Sequence, residues 1–180
     1  LGKAVQRSNI RYYLAPAEHT PFADNTFDLI TVAQAYHWLN WKKFHKEASR
    51  VGKQNAVVAI WTYNLLRSGD EDLNHIINHF YRVITGPYWD SARKYVEESY
   101  RTVEFDFEPL PSKEFAIELS YSKEEFEGYL SSWSAVQGYI KKNGTSPLPL
   151  IKGDLDRVWN TVPRKIFHFP LMLRMGRISK

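Results

Sequence analysis

The chain contains no cysteine among its 180 residues. This absence excludes disulfide bonds, thiolate nucleophiles and cysteine-ligated zinc. It also has no run approaching the ~18 consecutive apolar residues of a membrane-spanning helix. The opening residues 1–7 lack the apolar core of a secretion signal. The absence of cysteine leaves the compartment open, but without a signal or a membrane span we expect a cytoplasmic location and no membrane partner.

The composition that is present is that of a folded domain. Hydrophobic residues make up 43% and charged residues 24%, which is too apolar for disorder. The net charge is +4 and the sequence pI is about 9.2. The basic residues are scattered over polar helical positions and form no cluster, so we expect solvated faces and no nucleic-acid partner.

The strongest structural signal is a strand, a helix and a second strand in close succession. Residues 28–33 and 56–61 form two nearly continuous apolar runs, typical of strands covered on both faces. Between them Trp41, Phe44, Ala48 and Val51 recur at helical spacing up to Gly52, a candidate C-cap. This pattern predicts a right-handed βαβ unit with parallel strands, and therefore an α/β sheet.

The remaining segments predict one further strand before this unit and a helical appendage after it. Residues 10–14 are β-prone, and helices are predicted over residues 73–84 and 89–100. From residue 115 onward the pattern is a strand, three helices and a last strand within residues 167–175. Ser122 and Glu125 predict a capping box at the start of the first of these helices, and Gly144 predicts the end of the second. Pro170 cannot donate to a ladder, so we expect an edge or a bulge there.

Several segments carry a family resemblance in the same register. Residues 17–30 and 34–38, with the His37-Trp38 pair, and residues 44–51 resemble the middle of class I S-adenosylmethionine-dependent methyltransferases. Residues 129–135 and 169–174 are similar to the C-terminal motifs of the trans-aconitate-methyltransferase-like branch. The resemblance implies a Rossmann-like sheet, small-molecule methylation and S-adenosyl-L-methionine as cofactor.

One part of the family pattern is absent from the printed sequence. Class I methyltransferases begin with a strand and a Gly-x-Gly loop, whereas no two of the nine glycines lie two positions apart. We therefore expect residues 1–180 to be a single, N-terminally incomplete methyltransferase domain, with residues 115–180 as its acceptor-side appendage, and we favour an unobserved preceding segment. Gly52-Lys53-Gln54-Asn55 replaces the family's Leu-Lys-Pro-Gly-Gly, and Asn55 should adopt the left-handed conformation of that turn.

The resemblance and the sheet topology assign candidate cofactor residues to the ends of strands. Ala17 and Glu18 should lie near the adenine, with Glu18 as a plain loop carboxylate being the alternative. Gln34 and Ala35 should meet the methionine part of the cofactor. His37 and Trp38 should line the same cleft. The alternative, that these two side chains have only a structural role, is equally well supported by the sequence.

Candidate acceptor residues come from the third strand end and the appendage. Tyr63 is assigned to the acceptor site from the sheet topology alone. The resemblance assigns Trp133, Tyr139 and Arg174 to the same site. A guanidinium pairs with a carboxylate through two parallel hydrogen bonds, so Arg174 could clamp a carboxylate acceptor. A solvent-exposed strand arginine is the equal alternative.

The predicted chemistry needs no catalytic side chain. Methyl transfer from a sulfonium is an in-line displacement, in which alignment can contribute ~7–11 kcal/mol. A carboxylate acceptor is already ionised, so no general base is required. His75 and His79 lie one turn apart, but no third ligand is evident, so no metal is predicted.

A non-catalytic alternative also fits the sequence. The strand at residues 28–33 would lack its usual neighbours, and a bare strand edge can pair with another chain. The alternative is a methyltransferase-like remnant that binds a protein partner, or forms a homodimer, through that edge.

Overall fold

The computed structural model describes residue 2, residues 4–160 and residues 162–180. These residues form two compact units. Unit 1 comprises the described residues up to Trp61 together with Thr102–Lys113 and Leu173–Lys180. Unit 2 comprises Thr62–Arg101 and the described residues of Glu114–Met172.

Strands and helices alternate only at the start of the chain, and later elements mostly come in groups of two or three of one kind. The strands are β1 Phe27–Ala33, β2 Gly52–Tyr63, β3 Arg67–Ser68, β4 Glu108–Leu110, β5 Phe115–Tyr121 and β6 Lys165–Arg177. The α-helices are α1 Trp41–Val51, α2 Glu71–His79, α3 Arg93–Glu97, α4 Lys123–Ser131, α5 Ser134–Asn143 and α6 Lys152–Trp159. Short 3-10 turns cover Tyr36–Trp38, Gly86–Tyr88 and Leu148–Leu150, and a π-helical turn covers Phe80–Ile84. The predicted α/β class is confirmed.

Unit 1 contains the predicted βαβ unit. Strands β1 and β2 are parallel, with Ile30 opposite Val58 and Val32 opposite Ile60. Because the two strands are parallel, their carboxyl ends lie at the same edge of the sheet. Ile178, just after the end of β6, donates its amide to the Ala56 carbonyl of β2, and the end of β6 pairs antiparallel with β4.

Gly52 ends α1, but not in the conformation that we expected of a glycine cap. Its φ is −74°, which is extended backbone, so the left-handed region is not used. A Cβ at this position would clash with Ile178 and lie 2.9 Å from the Ala48 carbonyl oxygen. The glycine is required by close packing. The left-handed turn predicted at Asn55 is confirmed, with a φ of 67°.

The prediction of a strand at residues 10–14 is wrong. The segment is extended but joins no ladder, and Leu14 is 94% exposed. A strand needs a paired neighbour to satisfy its backbone groups, and no described segment pairs with this one.

Unit 2 is built around an aromatic core. Fifteen buried residues form one cluster, including Phe80, Tyr81, Phe126, Trp133 and Trp159. Strand β6 lies between β3 and β5, antiparallel to both. The predicted capping box between Ser122 and Glu125 at the start of α4 is confirmed.

Pro170 lies inside a paired strand, not at an edge or a bulge. On one side it is opposite Ala116 of β5. On the other side its carbonyl accepts from the Asn64 amide, in the stretch between the end of β2 and the start of β3. On that side the proline is therefore opposite the irregular stretch that separates β2 from β3.

Two further predictions are corrected by unit 2. The helix predicted over residues 89–100 is confined to α3, because Ser99 and Tyr100 have φ values of 56° and 54°. Strand β5 is present, but Phe115 and Ile117 on its apolar side remain 50% and 38% exposed.

In the part of the chain that the structure describes, no helix is both long and apolar enough to cross a membrane.

Candidate functional site

The end of β1 turns sharply at the predicted cofactor residues. Gln34 has a φ of 53°, in the left-handed region that non-glycine residues rarely occupy. Its amide donates to the Trp61 carbonyl at 2.9 Å, which holds this turn beside β2. Ala35 follows and leads into the 3-10 turn Tyr36–Trp38. Strained backbone of this kind is concentrated at binding sites.

An ionic clamp fixes the loop that carries Ala17 and Glu18. The Glu47 carboxylate accepts from the amide and the hydroxyl of Thr20 at 2.7 and 2.6 Å. The Arg50 guanidinium donates to both Glu47 oxygens, to Asp24 and to the carbonyls of Thr20 and Phe22. The hydrogen bond from Arg50 is the main cause that lowers the pKa of Glu47 to about 2.

Glu18 is anchored to the start of α1. Its Oε1 accepts from the Asn40 amide at 2.9 Å. The Asn40 side chain in turn accepts from the Lys43 amide and caps the helix. The loop after Ala17 is therefore anchored twice, through the Glu18 side chain at Asn40 and through the clamp at Thr20.

Two of the predicted cofactor residues border one apolar depression of unit 1. The depression has a volume of about 320 Å³ and is lined along β1, from Phe27 to Ala33, and by Phe44, Ala48 and Val51 of α1. Ala17 and Ala35 also line it, so it reaches past the carboxyl end of β1. Ligand sites are mostly apolar with few polar groups, and this lining therefore fits the adenosine and hydrocarbon parts of S-adenosylmethionine.

The other predicted residues of unit 1 lie in different surroundings. His37 and Trp38 pack against each other with ring centroids 4.8 Å apart, and Trp38 is 58% exposed. Arg174 lies over the Phe105 ring at 4.7 Å and donates to the Val103 carbonyl at 3.1 Å. Its guanidinium thus supports the segment 103–105, whereas its predicted role as a carboxylate clamp stays a prediction.

A buried polar chain lies behind the 3-10 turn. The Tyr36 hydroxyl donates to the Glu104 carbonyl at 2.6 Å and lies 2.6 Å from His45 Nε2. Because the tyrosine proton is used by Glu104, the hydroxyl oxygen must accept from a protonated Nε2. His45 Nδ1 lies 3.3 Å from Asp106 Oδ2, within ion-pair distance but outside hydrogen-bond geometry.

Of the acceptor residues predicted in unit 2, Trp133 belongs to the aromatic core, Tyr63 packs against that core, and Tyr139 is not part of it. Tyr63 packs edge-on against Phe169 at 5.7 Å. Trp133 is buried against Tyr81 at 5.7 Å. Tyr139 packs on Tyr88 at 4.9 Å.

Unit 2 also contains a polar cavity that sequence reasoning missed. Its volume is about 540 Å³, and it is lined by polar side chains that include Asn64, Tyr81, Arg93 and Glu97. A partial signal was present, because Trp89, Arg93 and Glu97 recur four residues apart in a segment predicted to be helical. The contact between Trp89 and Arg93 does not depend on a helix, however, since α3 begins only at Arg93.

No metal site emerges among the described residues. His75 and His79 are exposed on α2. No group of three histidine, cysteine, aspartate or glutamate residues in the described ranges could hold an ion.

Comparisons with known proteins agree with the fold. A family described as "Methyltransferase domain" matches residues 2–60. A solved structure assigned as a type II methyltransferase from Anaeromyxobacter dehalogenans is 32% identical, with a TM-score of 0.89. The match covers 99% of this chain and 76% of that one.

A second relative is longer than this chain. A protein of Dictyostelium discoideum named as a methyltransferase is 33% identical over 160 residues, which is 88% of this chain and 61% of that protein. The chain belongs to the methyltransferase family. S-adenosylmethionine is the methyl donor of this family.

Proposed function

We propose that this protein transfers a methyl group from S-adenosylmethionine to a small carboxylate acceptor, as in the trans-aconitate-methyltransferase-like branch. The observation that carries the proposal is the strand-end depression bordered by both Ala17 and Ala35. Two segments assigned to the cofactor from sequence, eighteen positions apart, lie on one surface there.

The residues of this chain would hold and orient the cofactor. Ala17 and Ala35 would provide the apolar walls, and the clamp of Glu47 and Arg50 would keep the loop in place before binding. When bound, S-adenosylmethionine supplies an electrophilic methyl group on a sulfonium. An ionised acceptor carboxylate is itself the nucleophile, so the protein contributes alignment and exclusion of water.

Calorimetry with S-adenosylmethionine tests the cofactor half of this proposal. We expect saturable binding, and we expect Ala35→Phe to weaken it about tenfold or more, because the larger ring fills the depression. Ala23→Phe is the matched control, since Ala23 is exposed in the same unit and does not line the depression. Equal affinity in both variants would contradict this placement of the site.

The acceptor half is tested by product analysis. The protein is incubated with S-adenosylmethionine carrying a labelled methyl group and with trans-aconitate, citrate or succinate. A labelled methyl ester, identified by mass spectrometry, is the expected product. Methylation of amines or phenols without any ester would exclude the carboxylate acceptor.

The edge of β1 supports a second candidate, a homodimer or a non-catalytic binding role. Within the described residues β1 pairs only with β2, and Leu29 on β1 is 57% exposed. Sedimentation over a range of concentrations should show a dimer that Leu29→Lys weakens, while Val83→Lys on unit 2 leaves it intact. A monomer at every concentration would contradict pairing through this edge.

A further inference from the structure

The polar cavity of unit 2 has the charge pattern of an anion site. Among its lining residues are three arginines, Arg67, Arg82 and Arg93, and two glutamates, Glu71 and Glu97. Positive groups therefore exceed negative ones around a volume of about 540 Å³. A cavity of this size can hold a small organic molecule.

Arg93 is the one of these cations that is fixed in position by several contacts. Its guanidinium lies over the Trp89 ring at 4.8 Å and over the Tyr81 ring at 5.6 Å. Its Nε donates to the Tyr81 hydroxyl at 2.9 Å. Stacking and a hydrogen bond together define the plane of the guanidinium, and little side-chain entropy is left to lose on binding.

The remaining donors of Arg93 are not used by the protein. Among the described residues, neither of its terminal nitrogens has a hydrogen-bond or ion-pair partner. These two nitrogens form the fork that matches a carboxylate through parallel hydrogen bonds. Arg93 is one of the residues that line the cavity.

The glutamate nearest to Arg93 is occupied by another donor. The Tyr81 hydroxyl donates to Glu97 Oε1 at 2.6 Å. Burial, more than any other cause, raises the pKa of Tyr81 to about 12, so the hydroxyl keeps its proton at neutral pH. Glu97 therefore satisfies the tyrosine, and Arg93 is left available for an external anion.

We propose that the cavity of unit 2 binds the carboxylate of the methyl acceptor, with the terminal nitrogens of Arg93 as its anion-binding fork. Trp89 and Tyr81 are the positioning residues that hold this fork. The inference rests on the proposed function for the identity of the bound anion as the acceptor. Arg93 is not one of the acceptor residues predicted from the sequence, which were Tyr63, Trp133, Tyr139 and Arg174.

Direct binding of carboxylates tests the site without any methyl transfer. Acetate, succinate, citrate and inorganic phosphate are titrated into the protein, with triethyl citrate as the uncharged control. We expect succinate or citrate to bind, and triethyl citrate not to bind. Phosphate should bind more weakly than the best carboxylate, because a tetrahedral anion matches the planar fork less well.

Variants at Arg93 then assign the binding to this side chain. Arg93→Gln should weaken carboxylate binding about 10- to 100-fold, as expected for a lost charge-assisted pair. Arg93→Lys keeps the charge but not the fork and should also lose about tenfold. Arg157→Gln, an exposed arginine on α6 that does not line the cavity, should stay within about twofold of the unchanged protein.

The outcomes separate this inference from the proposed function. No binding of any carboxylate, tighter binding of phosphate, or equal affinities in Arg93→Gln and Arg157→Gln would each overturn the anion site. Circular dichroism checks folding, and Arg93→Lys decides the matter if Arg93→Gln unfolds. If Arg93-dependent binding is found without any affinity for S-adenosylmethionine, the anion site stands and its assignment to a methyl acceptor fails. If methylation is found with a KM for the acceptor that does not change in Arg93→Lys, only the present inference fails.

Discussion

Buried polar side chains decide the local geometry around the strand ends. Tyr36 has no exposed surface, and its hydroxyl satisfies both the Glu104 carbonyl and His45 Nε2. An unpaired buried donor or acceptor costs more than a paired one gains. One hydroxyl therefore anchors two segments of unit 1 that are far apart in sequence.

Removing that hydroxyl should destabilise the protein measurably. We expect Tyr36→Phe to lower the free energy of unfolding by about 1–3 kcal/mol, because the buried His45 imidazole and the Glu104 carbonyl lose their partner. The measurement is urea denaturation followed by circular dichroism. Tyr12→Phe is the control, since the Tyr12 hydroxyl also bonds a carbonyl, that of Val5, but is exposed. A cost for Tyr36→Phe no larger than that of the control would contradict the anchoring role.

The clamp at Glu47 predicts a particular dependence of stability on pH. Its pKa is lowered from 4.5 to about 2 in the folded state, so the folded state binds its proton more weakly than the unfolded state does. The stabilisation is therefore complete above the unfolded pKa of 4.5 and is lost as the pH falls towards 2. Unfolding free energies measured from pH 7 down to pH 3 should fall steeply below pH 4.5.

The matched variants make the origin of this slope visible. Glu47→Gln should lose about 1.5–3 kcal/mol at pH 7, because charge-assisted hydrogen bonds are broken, and should flatten the acid slope. Glu114→Gln changes an exposed glutamate of the same charge and should leave the slope in place. An acid slope unaltered in Glu47→Gln would assign it to other carboxylates.

Among the elements, two glycines give opposite predictions for the same substitution. Gly52→Ala should destabilise by about 1–3 kcal/mol, because the new methyl group meets the Ala48 carbonyl and the buried Ile178 side chain. Gly128→Ala in α4 meets nothing within 4 Å and should stabilise by about 0.5–1 kcal/mol through helix propensity. Thermal denaturation of both variants measures the two changes in stability. If both substitutions stabilised the protein, the close packing at Gly52 would be contradicted.

The elements that could be predicted from sequence are those whose local and long-range preferences agree. Strands β1 and β2 are apolar throughout, and their parallel pairing follows from the helix between them. The caps of α4 and α5 are local, so Ser122 and Gly144 were readable. The prediction of a strand at residues 10–14 is wrong because a strand needs a pairing neighbour, and the β-propensity of a segment does not show whether one is present.

The candidate site divides in the same way. Ala17 and Ala35 follow a strand-end rule and a family pattern, so a linear sequence could suggest them. The fixed orientation of Arg93 depends on Tyr81, which is twelve residues away and meets it only through tertiary packing. No periodicity in the sequence reports such a contact, although the spacing of Trp89 and Arg93 does indicate half of it.

At the scale of the whole molecule, two compact units divide the chain between them. Strands β2 and β6 each contribute residues to both units, because the boundaries fall after Trp61 and after Met172. Each unit has its own candidate site, the strand-end depression in unit 1 and the polar cavity in unit 2. The cofactor and acceptor proposals can therefore be tested independently.

Cofactor binding should also appear as a change in global stability. Free S-adenosylmethionine at a hundred times its Kd should stabilise the folded state by about 2.7 kcal/mol. For a chain of this size that corresponds to a rise in Tm of about 5–10 °C. Differential scanning fluorimetry measures it, with adenosine as the ligand control and Ala35→Phe as the protein control. An unchanged Tm at saturating ligand would contradict binding to the folded state.

Pro170 has a consequence for how the sheet reaches its correct alignment during folding. In the native pairing the proline is opposite the irregular stretch between β2 and β3. If β6 slid by two residues towards β2, the proline would be opposite a paired residue of that strand, and a carbonyl there would lose its hydrogen bond. This one residue therefore disfavours that shifted alignment.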